Sequence, residues 1–236
     1  MARRRGRAVH AITLLATAHL DFQIVRDAAP VLERGALVTW EVTVAGIAGA
    51  LLIGVAGAAM RTSNSPLARF LGTAFAEFFR NTPPLVHIFF VFFALPLIGI
   101  KFPAVVAGTL ALIFYQGAIN IEILRAGIQA VPEGQREAAR AVGLTPRDQF
   151  LFVVIPQAFR ISLPALGNNF ISLLKNSSLI SAIGTFEITG WAEDYIAINL
   201  SSAELYITIG IFYLVSVTLL SGAMRFAEAR LARFGT

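Results

Sequence analysis

The sequence contains no cysteine, so neither a disulfide nor a thiolate can contribute to its stability or its chemistry. It also lacks the G-x-x-x-x-G-K-[ST] phosphate loop, a zinc-ligand spacing and a plausible catalytic triad. We therefore expect no catalytic residue, no metal and no cofactor bound by this chain, and no ATP hydrolysis through a phosphate loop of its own.

Charge is scarce as well. Only 14% of the 236 residues are charged and 56% are apolar, whereas a soluble domain carries roughly 25% charged residues. This balance argues against a soluble protein and excludes disorder, which needs many charges and few apolar groups. The net charge of +5 fits the cytoplasmic loops of a membrane protein better than a nucleic-acid surface, so no nucleic-acid partner is expected.

Five apolar stretches approach the length of about 20 residues that a membrane-crossing helix needs. They cover residues 35–60, 83–100, 103–124, 161–184 and 204–224. The sequence therefore predicts an all-α membrane protein with five transmembrane helices. Its predicted parts are a periplasmic or interfacial N-terminal tail (1–34), the transmembrane domain (35–228) and a short cytoplasmic C-terminal tail (229–236).

The arginines between the spans predict the orientation, because cytoplasmic loops are enriched in Lys and Arg. They concentrate in 61–82, in 125–160 and after residue 224, while the alternate loops hold only Lys101. This pattern predicts an outside N-terminus and a cytoplasmic C-terminus. The N-terminal tail opposes it, since six arginines lie within residues 1–34.

The first span repeats small residues at every fourth position: Gly46, Ala50, Gly54 and Ala58. Such a stripe lets two helices approach closely in lipid, where packing replaces the hydrophobic drive. We expect a packing face, either inside the subunit or between two subunits.

Polar groups at membrane depth are costly and need a reason. The fourth span contains Asn168, Asn169, Ser172, Lys175, Asn176, Ser177 and Ser178. These side chains either bind other helices or line a hydrated path, and amides and hydroxyls suit a small zwitterionic solute because they both donate and accept hydrogen bonds. Glu122 and His87 are further candidates for the path. For Glu122 a salt bridge with Arg125 is the simpler explanation, and for His87 a position in the core.

The longest hydrophilic segment, residues 126–160, predicts two short cytoplasmic helices. Gly143 fits the left-handed position that ends the first helix, Thr145 fits the N-cap of the second, and Pro156 is expected to end it. The pair forms either a hairpin on the lipid headgroups or a knob that fills a groove in a soluble partner.

Here the residues resemble a known family. Glu137-Ala138-Ala139, then Gly143, then Ile155-Pro156 is similar to the EAA loop of ABC-transporter permease subunits. The segments FFRNTPPLVHIFF, EILRAGIQAVPEGQREAARAVGLT and PQAFRISLPALGNNFISLLKNSSLISAIG resemble the polar amino-acid uptake permeases of the histidine, glutamine, glutamate and arginine type.

The resemblance implies the permease subunit of a type I ABC importer in the bacterial inner membrane, with an amino acid as substrate. A second permease subunit, identical or homologous, would complete the path. A periplasmic solute-binding protein would deliver the solute, and cytoplasmic ATPase subunits would hold ATP and Mg. By position in the motif, the ATPase-coupling residues would be Glu137, Ala138, Ala139, Gly143, Leu144 and Pro146. A membrane channel or scaffold without ATP coupling is the alternative.

Overall fold

The computed structural model describes residues 23–199 and 203–232, and these residues form helices joined by short turns, with no β-strand among them. The all-α prediction is thus confirmed. The described part of the chain begins with α1 (Gln23–Thr62). This helix contains the first predicted span but starts twelve residues earlier, inside the segment assigned to the tail. The first turns of α1 are stabilised by an apolar face on which Ala28 and Leu32 are buried. Arginines on the other faces lower the mean hydropathy of this stretch, so the sequence did not predict it as part of the span. Residues 1–22 of the predicted tail lie outside the described residues.

The next two helices meet at a sharp bend. Ser65 caps α2 (Pro66–Arg80), and α3 (Pro84–Phe89) follows. The chain then continues through a π-helical turn (Phe90–Ala94) and a 3-10 turn (Leu95–Ile98). The chain bends by 103° between the two arms, because two consecutive prolines, Pro83 and Pro84, cannot continue the hydrogen bonds of α2.

The central helix α4 (Ala104–Gln129) leads to the segment that was predicted to be cytoplasmic, which contains α5 (Glu133–Ala141) and the short α6 (Pro146–Asp148). A π-helical turn (Gln149–Val154) joins α6 directly to α7 (Ile155–Asn176). The prediction that Pro156 ends the second cytoplasmic helix is therefore wrong. Pro156 lies in the first turn of α7, where a missing N–H is tolerated, and the wider π turn ahead of it carries the chain on without a break.

A 3-10 turn (Ser177–Ile183) extends α7, and α8 (Ile188–Asn199) and α9 (Ala203–Ala232) complete the described part. Residues 233–236 of the predicted C-terminal tail lie outside it. Among the described residues, four helices are long and apolar enough to cross a membrane, and the bent pair α2–α3 brings the number to five. This agrees with the five predicted spans.

The stripe of small residues on α1 packs inside the subunit, against α4 and α7. A Cβ atom added to Gly54 would lie 2.5 Å from the Cβ of Asn120, and one on Gly46 would lie 2.8 Å from Leu173. These close approaches bring α1, α4 and α7 together around the polar groups described next.

Candidate coupling and solute sites

The end of α5 forms as the sequence predicts. Gly143 has φ +82°, and its N–H donates to the carbonyl of Arg140 at 3.0 Å. The next N–H, that of Leu144, reaches the carbonyl of Ala139 at 3.1 Å. Thr145 then starts α6 by accepting a hydrogen bond from the Asp148 N–H at 3.2 Å. Both predicted caps are therefore present.

The α5 hairpin, formed by α5 and α6 (residues 133–148), contacts the ends of the long helices α4 and α7. Val131, Val154 and Ala158 form a buried apolar cluster beneath it. Arg136 donates to the carbonyl of Ile128 at 2.8 Å, which ties α5 to the end of α4. These contacts join the hairpin to the ends of α4 and α7.

The outer face of α5 is open. Glu137 and Ala138 are exposed, whereas Ala139 is buried against the bundle. Beyond the helix, Gly143 and Pro146 are exposed and Leu144 is half-buried. Val142, an apolar side chain that is 78% exposed, adjoins this face. The sequence reasoning missed it, although an apolar residue directly before the left-handed glycine was a usable signal.

The polar residues of α7 divide between two faces of the helix. Asn169 is buried, and its side chain donates to the Oδ1 atom of Asn120 at 2.8 Å and to the carbonyl of Gln116 at 3.1 Å. Gln116 and Asn120 are themselves fully buried on α4. They also escaped the sequence reasoning, although two amides spaced four residues apart on an apolar helix indicate one shared polar face.

The other face of α7 is accessible. Asn168 and Lys175 are exposed and Ser172 is half-buried, and their spacing of four and three residues places them on one side of the helix. Asn168 borders a cavity of about 180 Å³ between α7 and α9. The polar residues of α9 that line this cavity are Ser221, Arg225 and Glu228.

Arg225 and Glu228 stand one helical turn apart, and no ion pair joins either of them to another described residue. The cavity thus combines an amide, a hydroxyl, a guanidinium and a carboxylate. Sequence reasoning assigned Arg225 to orientation alone and did not single out Ser221 or Glu228. Their spacing of four and three residues near the end of the last span was the available signal.

The remaining polar residues near the end of α7 bind their own helix. Ser177 is buried and donates to the carbonyl of Leu174 at 2.7 Å. Ser178 donates to the carbonyl of Lys175 at 2.9 Å, and Asn176 is half-buried. The predicted polar cluster is therefore distributed around the helix and does not share one face.

Glu122 is the centre of an ion cluster that joins three helices. Arg61 of α1, Arg80 of α2 and Arg125 of α4 all form ion pairs with this carboxylate. The predicted pair with Arg125 is present at 2.9 Å, but the other two partners were not foreseen, because they come from distant parts of the chain.

His87 is buried in an aromatic surrounding. Its ring centroid lies 4.8 Å from that of Phe79 and 6.2 Å from that of Tyr115. Its Nε2 atom lies 3.2 Å from the carbonyl oxygen of Phe79. The environment is that of a core histidine with a hydrogen-bond partner.

One buried carboxylate was missed entirely. Glu187 lies in the turn between α7 and α8 and is 0% exposed. It accepts hydrogen bonds from the hydroxyls of Thr39 at 3.2 Å and Tyr213 at 3.0 Å, and from the Gly190 N–H at 2.9 Å. Burial raises the pKa of Glu187, and the hydrogen bonds oppose that shift. The sequence analysis did not single out Glu187, because its partners Thr39 and Tyr213 are distant in the chain.

Among the described residues, no group of three His, Cys, Asp or Glu side chains could hold a metal ion. The site geometry consists of the α5–α6 hairpin, a buried amide network and an open polar cavity. These are features of a transmembrane transport subunit.

Residues 26–233 match the family described as "Binding-protein-dependent transport system inner membrane component". The chain therefore belongs to this family of ABC importer permease subunits. The resemblance seen in the sequence is confirmed, and so is the assignment as a permease that crosses the bacterial inner membrane. In this family a partner subunit hydrolyses ATP, and a solute-binding protein works with the permease.

Several relatives are similar over nearly their whole length. The probable glutamine ABC transporter permease GlnM of Bacillus subtilis strain 168 is 39% identical, over 81% of this chain and 88% of that protein. The glutamine transport system permease GlnP of Escherichia coli K12 is 33% identical, over 89% and 97%. The L-cystine transport permease TcyL of Bacillus subtilis strain 168 is 32% identical, over 90% and 92%.

Solved structures agree with the fold. An amino acid ABC transporter crystallised with histidines superposes with a TM-score of 0.85 at 34% identity, over 90% of this chain and 99% of that chain. The MetNI methionine transporter, in an inward-facing conformation, gives a TM-score of 0.65 at 25% identity, over 87% and 96%. The type I importer fold expected from the resemblance is thus confirmed.

Proposed function

We propose that this chain is the permease subunit of an ATP-driven amino-acid importer, with its N-terminus outside and its C-terminus in the cytoplasm. The relatives named for glutamine and L-cystine support an amino acid as the solute. The arginines of the loops between the helices support the orientation, because they lie at the end that carries α5.

The observation that carries the proposal is the shape of the α5 hairpin. Its exposed residues Glu137, Ala138 and Val142 form the knob that docks on a partner ATPase, which holds ATP and Mg. The position of this knob is fixed by the buried Ala139, by Leu144 and by the left-handed turn at Gly143. Pro146 begins α6. Because the hairpin is tied to α4 and α7, a movement of the ATPase is transmitted to the membrane helices.

The solute path runs along the accessible face of α7 and is completed by a second permease subunit, identical or homologous. Asn168, Ser172 and Lys175 line it, with Asn176 and Ser178 at its outer end. In the cavity beside α9, the guanidinium of Arg225 suits the carboxylate of an amino acid and the carboxylate of Glu228 suits its ammonium group.

The buried candidates have a supporting role in this proposal. Asn169 and Ser177 hold α7 in place, His87 packs in the core against Phe79 and Tyr115, and Glu122 joins three helices. Each of these side chains already has its hydrogen-bond or ionic partner inside the subunit.

The coupling claim is tested with Glu137→Lys in the complex of permease, ATPase and binding protein. We expect the complex to insert normally but to lose solute-stimulated ATP hydrolysis and uptake, because the substitution places a cation at the docking surface. Glu193→Lys makes the same charge change on an exposed residue of α8 and should leave both activities intact. Normal uptake by the Glu137 variant would refute the docking claim.

A second pair of variants separates backbone strain from docking. Gly143 and Gly99 both have positive φ, +82° and +89°, and neither has an atom within 4 Å of an added Cβ. An alanine costs on the order of 1–2 kcal/mol at either position. Only Gly143→Ala should uncouple ATP hydrolysis from uptake, because Gly99 lies in the turn before α4, away from the knob. Equal loss in both variants would assign the effect to stability.

The solute itself is identified by ATPase stimulation across a panel of amino acids, with the binding protein present. Uptake that continues without an ATPase partner would favour a channel or scaffold over an ATP-driven importer.

A further inference from the structure

An apolar crevice of about 530 Å³ lies between α1, α2 and α4. Met60, Gly72, Phe75, Phe114 and Ile121 form its walls. Leu71 and Ala74 border it and are exposed on the side of α2. The crevice is therefore open to the outside of the subunit, and its lining has the chemistry of a hydrocarbon site.

The arginine cluster around Glu122 adjoins one end of this crevice. The Cγ atom of Arg61 lies 2.9 Å from where a Cβ of Gly72 would stand, so the Arg61 side chain contacts the crevice wall. Arg61 follows Met60 and Glu122 follows Ile121 in sequence, and both preceding residues line the crevice. An apolar slot and a cationic group are thus adjacent.

The cluster carries an excess of positive charge. Three guanidiniums, those of Arg61, Arg80 and Arg125, surround the carboxylate of Glu122. Among the described residues, one other acid interacts with the cluster: Glu77, which lies close enough to Arg61 to interact with it electrostatically and accepts a hydrogen bond from Asn81. Each guanidinium has five N–H donors, so the two carboxylates cannot engage all of them. The side chains of Arg80 and Arg125 are 36% and 30% exposed, which leaves their free donors accessible.

The helix that covers the crevice is suited to a membrane surface. Leu67, Phe70 and Phe78 are exposed on α2, while Arg69 and Arg80 provide cationic ends. An amphipathic helix with this pattern lies in the interface between headgroups and acyl chains. The chain bends by 103° after α2. This bend allows α2 to lie in the plane of the membrane surface while α3 enters the membrane.

We propose that this site binds an anionic phospholipid of the membrane leaflet next to α2. The phosphate lies against Arg80 and Arg125, and an acyl chain occupies the crevice between α1, α2 and α4. The charge excess favours an anionic lipid over a zwitterionic one. The proposal concerns the protein surface toward lipid and is independent of the identity of the transported solute.

The test uses the full-length chain purified with its partner subunits and stripped of lipid. Dioleoyl phosphatidylglycerol and dioleoyl phosphatidylcholine are titrated separately, and bound lipid is counted by native mass spectrometry. The wild-type protein should bind phosphatidylglycerol more tightly than phosphatidylcholine. Arg80→Gln should weaken that binding about fivefold, the effect of one arginine at a lipid surface. Phosphatidylcholine binding should stay unchanged.

Arg147→Gln is the matched control, because Arg147 is an exposed arginine of α6 and does not line the crevice. It should bind phosphatidylglycerol as wild type does. Equal binding of the two lipids, or equal loss in both arginine variants, would overturn the proposal. Glycerol phosphate should not compete at millimolar concentration, and full competition would assign the site to a free phosphate ester.

The crevice is tested with Ala74→Trp, which places a large ring in the slot without touching the arginines. Phosphatidylglycerol binding should fall while the unfolding temperature stays near that of wild type. An unchanged affinity would show that no acyl chain occupies the slot. Because the chain has no native cysteine, Ala74→Cys can report the other occupant. A disulfide between two permease subunits at this position, with no bound lipid, would overturn the proposal in favour of a subunit interface.

Discussion

Asn168 and Asn169 are adjacent residues with the same side chain, yet they occupy opposite environments. The amide of Asn169 is buried and binds Asn120 and Gln116 on the neighbouring helix α4. The amide of Asn168 is exposed and borders a polar cavity. A buried group with partners stabilises the bundle, whereas an exposed group at membrane depth is available to a solute. With the solute path proposed above, this division lets one face of α7 support the bundle while the other face lines the path.

The largest expected loss of stability comes from separating α1 from α4, which pack closely at Gly54. Gly54→Ala would place a methyl group 2.5 Å from the Cβ of Asn120, and this overlap should destabilise the protein by about 2 kcal/mol. Thermal unfolding in detergent measures the change. Gly210→Ala is the control, since an added Cβ there meets nothing within 4 Å and should leave stability equal or slightly higher. Equal unfolding temperatures in the two variants would contradict this packing.

A smaller loss of stability is expected when only the hydrogen bonds of Asn169 to Gln116 and Asn120 are removed. Asn169→Leu removes both donated hydrogen bonds and leaves the Oδ1 atom of Asn120 buried without its partner, at a cost of about 1–2 kcal/mol. The same thermal measurement checks it. An Asn169 variant as stable as wild type would show that the network contributes nothing to helix packing.

The exposed face is tested through transport rather than stability. Arg225→Gln and Glu228→Gln should each lower uptake about tenfold, the loss of one hydrogen bond to a charged group, with unfolding unchanged. Arg230→Gln changes another arginine of α9, which lies over the Phe226 ring, and should transport normally. A comparable decrease for Arg230→Gln would mean that net charge, and not the cavity, causes the effect.

The smallest effect concerns the second buried network. Because burial raises the pKa of Glu187, the folded state binds this proton more tightly than the unfolded state. Stability should therefore fall as the pH rises from the ordinary carboxyl range through the raised pKa. Glu187→Gln cannot titrate, so its unfolding temperature should vary less between pH 5 and pH 8, on the order of a degree. Identical pH profiles would contradict the assignment.

Much of the fold was predictable because it depends on local composition. The apolar stretches, the paired prolines at Pro83 and Pro84, and the caps at Gly143 and Thr145 each dictate structure within a few residues. The continuation past Pro156 was not predictable, because it depends on a π turn that no single residue type marks. The helical start at Gln23 was hidden, because arginines diluted the apolar signal.

The candidate site was predictable in chemistry but not in geometry. The sequence showed that residues 168–178 are unusually polar, but only the helix rotation separates Asn168 from Asn169. The cavity partners Arg225 and Glu228 lie more than 50 residues away in the chain. Two of the hydrogen bonds to the buried Glu187 come from Thr39 and Tyr213, which lie near opposite ends of the sequence.

The most direct test of this account compares Asn168→Leu with Asn169→Leu in proteoliposomes that contain the complete importer, with uptake normalised to folded complex. The account predicts that Asn168→Leu unfolds at the wild-type temperature but transports several-fold more slowly. It predicts that Asn169→Leu unfolds at a lower temperature, while its folded fraction transports at close to the wild-type rate. The opposite pattern, an unstable Asn168 variant and a stable but inactive Asn169 variant, would contradict the assignment of the two faces.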